Sequence, residues 1–342
     1  MKMVRGAPCV GTNAIRGQTA LGPQSFPTHP ADFRGMWHCT PSGHRCGKEI
    51  SGKEITGNGA SGKVVIGSLD GVTDPSTSHP PKSAHLAQRL RGTPRAPVGE
   101  RPWVLVNMVS SLDGAATLGG QSEGLGGAAD RAMFSAIRSL ADVIVVGART
   151  AAIEQYRPPR ITDPGLVAQR QSAGQAPHPD LVLLTRSSRV DHMPALDHPE
   201  ADADGGATWI LSPDFDGAWS IRPGGMTDEL QRGRSEPADT GGTPEPGASP
   251  SLLDAFETLS RSTGSSVVLC EGGPTLLGAM HGADLIDEWC VTIGAVAVSG
   301  DATRISRGDA STATPRRLDL IDHLVIDSTI LARYAVDRSG PE

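Results

Sequence analysis

Lysine is missing from most of this 342-residue chain: the last one is Lys82, so cationic work beyond that point falls to arginine and histidine. Aromatic residues are scarce too, at 4% of the chain with only two tyrosines. The loosely basic N-terminal stretch lacks the clustered Lys/Arg face and the interleaved rings that nucleic-acid binding uses, so it reads as a solvated tail. No run of about 18 apolar residues occurs, and the opening MKMVRGAPCVGTNAIRGQ carries no apolar stretch behind its positive charges. Neither a membrane span nor a signal peptide is indicated, and the expected location is the cytoplasm. Five scattered cysteines, Cys9, Cys39, Cys46, Cys270 and Cys290, are too few for a disulfide framework and are expected to be free thiols. The stretch HCTPSGHRC at 38–46 lacks zinc-finger spacing and a second ligand pair, so no metal is expected. A Walker lysine motif, a GxSxG elbow and HExxH are all missing, which removes the commonest phosphotransfer, hydrolase and metalloprotease readings.

Apolar residues thin out at one end. Leu, Ile, Val and Phe number 16 in residues 1–100, below the roughly 20% at which a chain struggles to bury a core. The same stretch holds 12 of the 31 Lys and Arg but 6 of the 38 Asp and Glu, so an arm of net charge +6 precedes a body of −13. Within it, GKEISGKEITG at 47–57 repeats a five-residue unit among Pro, Gly, Ser and Thr. Residues 1–100 are therefore expected to be a low-complexity, largely disordered basic extension, with the folded body at 101–338.

From Arg101 onward strand-like and helix-like patterns alternate. WVLVNMV at 103–109, VIVVG at 143–147, LVLLT at 181–185, TWILS at 208–212 and SSVVLCE at 265–271 read as strands. Helical periods cover about 128–141 and SLLDAFETLS at 251–260. This order predicts an α/β fold with a mostly parallel central sheet covered on both faces by helices. LIDEWCVTIGAVAV adds a strand, and LDLIDHLVIDSTILARYAV reads as a closing antiparallel hairpin about Asp327 and Ser328. The span 213–250, crowded with Gly, Pro and acids, reads as an extended surface insertion.

Three strand ends carry anion-binding chemistry. In CEGGPTLLGAM at 270–280, two glycines leave room above the amides of a helix whose first turn holds Pro274. VVGART places Arg149 and Thr150 after Gly147, and LLTRSSR places Thr185, Arg186, Ser187 and Ser188 after a third strand. Such a position in open α/β sheets holds dinucleotides. GLGGAA at 124–129 lies too far beyond its strand, with no closing acid, to be a dinucleotide fingerprint. On the helix AADRAMFSAIRSLAD, Asp130, Phe134 and Ile137 fall within about 60° of one another. Asp130 is either a carboxylate favouring the helix N-terminus or one poised in an apolar pocket to pair with a heterocycle. Arg138, two turns on, is a surface charge or a substrate-phosphate clamp.

VNMVSSLDGAAT, AIRSLADVIVVGARTAAIEQY, VVLCEGGPTLLGAM and LIDEWCVTIGAVAVSGDATRI together resemble the reductase domain of bacterial riboflavin biosynthesis, a pyrimidine reductase with a dihydrofolate-reductase-like fold, over about 102–337. The resemblance implies NADPH as hydride donor, a homodimer, and reduction of the ribosylamino side chain of 5-amino-6-(5-phosphoribosylamino)uracil to a ribitylamino one. It places Gly147, Thr150 and Glu154 at the cofactor, together with the turn through Gly273, Pro274, Thr275, Leu276, Leu277, Gly278 and Ala279. Thr185, Arg186 and Ser187 would meet the 2′-phosphate. Gly272 and Gly273, often joined by a cis peptide in this fold, would receive the pyrophosphate. Ser122, Arg138 and Glu271 match substrate-holding positions. Asn107 stands where riboflavin reductases usually carry lysine, also on the substrate side. AADRAMF is similar to the helix of true dihydrofolate reductases, with Asp130 and Phe134 at the pterin positions, so folate reduction is the alternative, and an inactive NADPH-binding protein a second. Asp130 and Glu271 are the catalytic candidates. Residues 1–100 show no His-x-Glu with a matching Pro-Cys pair, as the deaminase that often accompanies this reductase would require.

Overall fold

The computed structural model describes residues 82–186, 190–197, 200, 205–214, 217–224, 251–308 and 315–338. Among these residues nine strands form one sheet: β1 Trp103–Ser111, β2 Val143–Gly147, β3 Asp180–Leu184, β4 Thr208–Pro213, β5 Trp219–Pro223, β6 Val267–Cys270, β7 Glu288–Gly294, β8 Leu318–Ile326 and β9 Thr329–Val336. Their spatial order is β5-β4-β3-β2-β6-β1-β7-β9-β8. The six strands from β4 to β7 pair in parallel, while β5 and the β9–β8 pair run antiparallel at the two edges. This is the mostly parallel sheet with a C-terminal hairpin that the sequence predicts.

Alternate residues of each central strand supply two separate cores, as the period of two demands. Leu105, Ile144, Val146, Leu181, Leu183, Ile210 and Leu269 face one side. Helices α1 Ser83–Arg91, α2 Gly127–Arg138 and α4 Pro164–Ser172 pack there, and a short helix, α3 Ala148–Ile153, follows β2. Val104, Val106, Val143, Val145, Val182, Leu184, Val268 and Cys270 face the other side. They meet Ala255, Phe256 and Leu259 of α5, Leu252–Thr263, and Leu277 and Met280 of α6, Pro274–Gly282. Local chemistry sets the helix ends: the Ser251 hydroxyl accepts from Leu253 N–H at 3.0 Å to start α5, and Gly264 stops it at φ 67°. The hairpin turns on Asp327 and Ser328, at φ 49° and 66°, the left-handed pair a two-residue loop requires.

Two boundaries differ from the sequence reading. The folded body begins before residue 100, because α1 buries Leu86, Ala87 and Leu90 against the first core. Arg95 on the following segment also donates to the buried Glu288 from Nε and Nη2, both at 2.9 Å. The expected extension is thus corrected over 83–100, while residues 1–81 lie outside the described ones. The expected insertion at 213–250 is corrected at its start: β5 pairs with β4, and Trp219 is buried with its Nε1–H donating to Ser251 O at 2.8 Å. Residues 225–250 lie outside the description.

Arg170 shows how the helical layer is tied down. It is 1% exposed, and its guanidinium donates to Ala176 O, Ser139 O and Ala141 O, satisfying carbonyls that follow α4 and α2. Burial lowers its pKa to about 10. Removing α1 is the sharper test of where the body starts. A chain beginning at residue 100 should unfold with a stability loss of at least about 3 kcal/mol relative to one beginning at residue 82, since two leucines at roughly 1.5–3 kcal/mol each lose their burial. Coincident urea midpoints for the two chains would show that α1 contributes nothing.

Candidate active site

A cleft of about 620 Å³ opens along the C-terminal ends of β1, β2 and β6, beside α2. That volume falls inside the roughly 300–1,000 Å³ of small-molecule sites, and the position is the one open α/β sheets reserve for ligands. The chain runs outward from β1 through β2, β3 and β4, then returns through β6 into the slot between β2 and β1. The β6 tip therefore lands centrally, and Glu271 follows it directly.

Asp130, Phe134 and Arg138 line the cleft as one stripe of α2 at intervals of four residues. Ile137, expected beside them, turns into the core with Ala129, Met133 and Ala136. Arg138 Nε and Nη2 donate to Glu271 Oε1 and Oε2, both at 2.7 Å, and the guanidinium lies over the Phe134 ring at 4.1 Å. Glu271 thus takes the Nε–Nη2 edge of Arg138, and Nη1 and the second Nη2 N–H are not part of that contact. Burial pulls the Arg138 pKa down, but the Glu271 carboxylate outweighs it and leaves the net shift upward. Tyr156, which sequence reasoning did not single out, donates its hydroxyl to Glu271 Oε2 at 2.9 Å.

Asp130 sits in a different environment. Burial raises its pKa, partly opposed by a hydrogen bond from the Thr292 hydroxyl and by the charge of Arg131. Thr292 on β7 is 1% exposed, a second participant the sequence did not flag. Asn107 on β1 lines the cleft, as do Ser122 and the exposed arginines Arg131, Arg157 and Arg160. The loop carrying Ser122 is pinned at its base by Asp113. Its carboxylate accepts from the Ser111 hydroxyl and the amides of Ser299 and Val298, which hold its pKa down to about 2.

On the opposite wall stand Thr150, Glu154, Gly273 and Pro274. The Gly272–Gly273 peptide is cis, and Gly272 has φ 95°. Gly147 N–H donates to Gly272 O at 2.9 Å, which ties the β2 tip to the turn. A Cβ on Gly273 would run into the Thr150 hydroxyl, so main chain alone forms this surface. Sheet order makes the β3, β2 and β6 tips neighbours, and Thr185 and the exposed Arg186 follow β3. Arg149 is exposed at the start of α3. A bare main-chain cradle at the start of α6, with arginines at the adjacent tips, fits a phosphorylated dinucleotide such as NADPH. Further along α6 the expected residues serve packing: Leu277 is fully buried, Ala279 packs on the second core, and Gly278 gives room to the Arg307 carbonyl. Leu276 is half-buried and Thr275 exposed, while Ser187 lies outside the described residues.

Among the described residues no His, Cys, Asp and Glu group is placed to hold a metal, and no helix is long and apolar enough to cross a membrane. Cys270 and Cys290 are buried, which pushes both thiols up to about 12, so neither is a ready nucleophile.

The RibD C-terminal domain family matches residues 102–221 and 226–332. In structure the chain is similar to a pyrimidine reductase-like protein from Corynebacterium diphtheriae, with TM-score 0.56 and 23% identity over 74% of this chain and 99% of that one. RibD from Acinetobacter baumannii aligns with TM-score 0.48 and 21% identity, covering 70% of this chain and 58% of its own. The riboflavin biosynthesis reductase Rib7 of Saccharomyces cerevisiae gives TM-score 0.38 and 12% identity, over 74% and 98% of the two chains. No curated protein sequence is matched.

The glycines of the cradle divide into two kinds. Gly273→Ala should cost about 1–3 kcal/mol of stability, because the new methyl group displaces the Thr150 hydroxyl. Gly147→Ala should change stability by less than about 0.5 kcal/mol, since its φ is −63° and the nearest atom to an added Cβ stands 3.7 Å away. Equal losses on urea unfolding would show that the Gly273 contact does not govern the turn.

Proposed function

Because this chain belongs to the RibD C-terminal domain family of riboflavin-biosynthesis reductases, we propose that it is an NADPH-dependent reductase of a phosphorylated aminopyrimidine. The proposed substrate is 5-amino-6-(5-phosphoribosylamino)uracil, whose ribosylamino side chain becomes ribitylamino. The observation that carries the reading is the meeting, in one cleft, of a side-chain-free glycine cradle with two carboxyl groups of contrasting environment, Asp130 and Glu271. In this reading the enzyme acts in the cytoplasm as a homodimer.

Bound NADPH would supply the hydride, and that chemistry is the cofactor's own. Gly147, Thr150, Glu154, Gly272 and Gly273 would hold it, with Arg149, Thr185 and Arg186 toward its 2′-phosphate. The chain's own part is alignment and proton supply. Glu271, fixed by Arg138, would orient the heterocycle or its side chain, and Phe134 and Asn107 would bound it. The substrate phosphate would meet the exposed Arg157, or the N–H groups of Arg138 that Glu271 does not take. Asp130 would hold the proton that reduction of a C=N bond requires, since burial keeps its carboxyl protonated to higher pH than an ordinary aspartic acid.

A second reading rests on one observation. Asp130 bonded to Thr292, four residues before Phe134 on the same stripe, suits the amino-substituted ring of a pterin, so dihydrofolate is the competing substrate. Purified protein distinguishes the readings. NADPH oxidation only with the phosphoribosylaminouracil supports the first, oxidation with dihydrofolate the second, and tight NADPH binding without turnover of either leaves a cofactor-binding protein.

Two outcomes refine the assignment. Arg149→Ala should raise the KM for NADPH about tenfold, a loss of about 1.4 kcal/mol, while leaving that for NADH within twofold. An equal effect on both would remove Arg149 from the phosphate. With Asp130 as acid, kcat/KM should fall as pH rises through a pKa above the ordinary carboxylate range. Asp130→Asn should abolish that limb along with most of the turnover. A pH limb that survives in Asp130→Asn would assign the proton to another group.

A further inference from the structure

Glu271 meets Arg138 through one edge of the guanidinium, and the third partner changes what the carboxylate offers to a ligand. An ionised carboxylate has about four lone-pair sites. On Glu271, Oε1 accepts from Arg138 Nε, while Oε2 accepts from both Arg138 Nη2 and the Tyr156 hydroxyl. Tyr156 has a single O–H, and it points at Oε2 across 2.9 Å. Its ring belongs partly to the first core and lies 5.9 Å from the Arg138 guanidinium, so packing limits its rotation. Both Glu271 and Tyr156 line the cleft.

We propose that Tyr156 is a positioning residue for Glu271: by giving its only hydroxyl proton to Oε2 it fixes the carboxylate as an acceptor, so that Glu271 selects a substrate bringing N–H or O–H donors. The remaining lone pair of Glu271 Oε1 is an acceptor, and Tyr156, whose oxygen is also bonded by Arg138, has no second proton to give. Ring amides, exocyclic amines and sugar hydroxyls fit such a carboxylate. A carbonyl oxygen set against it would meet a lone pair without a proton between, at the cost of an unmade buried hydrogen bond. The charged groups around Tyr156 agree with a fixed proton. Burial first, and the Glu271 charge second, push its phenol well above the usual range, with Arg138 opposing and Glu154 adding to the rise. These neighbours come from three elements: Arg138 ends α2, Glu154 follows α3 and Glu271 follows β6. The assignment rests on the reading of the cleft as the reductase site.

Tyr156→Phe keeps the ring and removes the hydroxyl, so the test reads the hydrogen bond and not the packing. With the phosphoribosylaminouracil as substrate, kcat/KM should fall tenfold or more while the KM for NADPH stays within twofold. The same substitution placed in a Glu271→Gln chain should add no further loss, because the partner is already altered. An unchanged kcat/KM in Tyr156→Phe, or full additivity of the two changes, overturns the assignment. Stability supplies a readout without turnover: Tyr156→Phe should lower the urea midpoint in the native background and leave it unmoved in Glu271→Gln. Equal shifts in both backgrounds overturn the contact itself. A native chain that oxidises NADPH with no pyrimidine removes the reading on which the assignment rests, whereas an active native chain with additive losses removes Tyr156 alone.

Discussion

The two-pronged pairing of Arg138 with Glu271 holds this site together. One partner ends α2 and the other follows the central strand β6, so the contact joins the helical layer to the sheet at the place where the cleft opens. Side-chain exposure is 21% for Arg138 and 2% for Glu271, so neither charge is well solvated. Removing one partner from so buried a pair typically costs about 3–5 kcal/mol, because the other is left without compensation. Burial of both is tolerable here since the guanidinium also lies over Phe134 and the carboxylate has a third donor in Tyr156. The pair is therefore a frame for the groups around it. Phe134 lies under the guanidinium, and the Tyr156 hydroxyl is directed at the carboxylate.

Much of the fold was legible because the central strands are buried on both faces. Runs such as Val143–Val146 and Leu181–Leu184 have little surface left, and continuous apolar sequence is the direct result. The hairpin was legible from alternation and from two turn residues that accept the left-handed region. The nine-residue helix α1 escaped for a compositional reason: its two leucines are diluted across 100 residues otherwise poor in apolar side chains. Strand β5 escaped because it borders a long polar span and contributes one buried tryptophan at its start. In both cases the determining contacts are made with elements distant in sequence, which no local period records.

The site divides in the same way. Motif residues at the glycine cradle fall in two short stretches, so Gly147, Thr150, Gly273 and Pro274 could be named from local pattern, and Glu154 from the family resemblance. Partners that act across the fold could not. Tyr156 reaches Glu271 over 115 positions, and Thr292 reaches Asp130 over a comparable span. A signal did exist for Tyr156: it is one of two tyrosines in the chain and stands between a short helix and the RPPR run. Leu277 is a motif residue whose side chain, one turn beyond the cradle, the helix has rotated into the core.

The missing lysines bear on the chemistry proposed for the cleft. Among the described residues its lining contains no lysine, histidine or cysteine, and where relatives by resemblance carry a lysine this chain has Asn107. Arginine holds its proton across the working pH range, so the cationic side chains present can attract and orient an anion but cannot deliver a proton. Glu271 is committed to three donors and Tyr156 has given its hydroxyl away. In the proposed reaction the proton needed on the atom beside the reduced carbon would come from the buried carboxyl of Asp130, bonded to Thr292. The surroundings of Asp130 and Glu271 differ in kind: Glu271 accepts from three donors, whereas burial raises the pKa of Asp130.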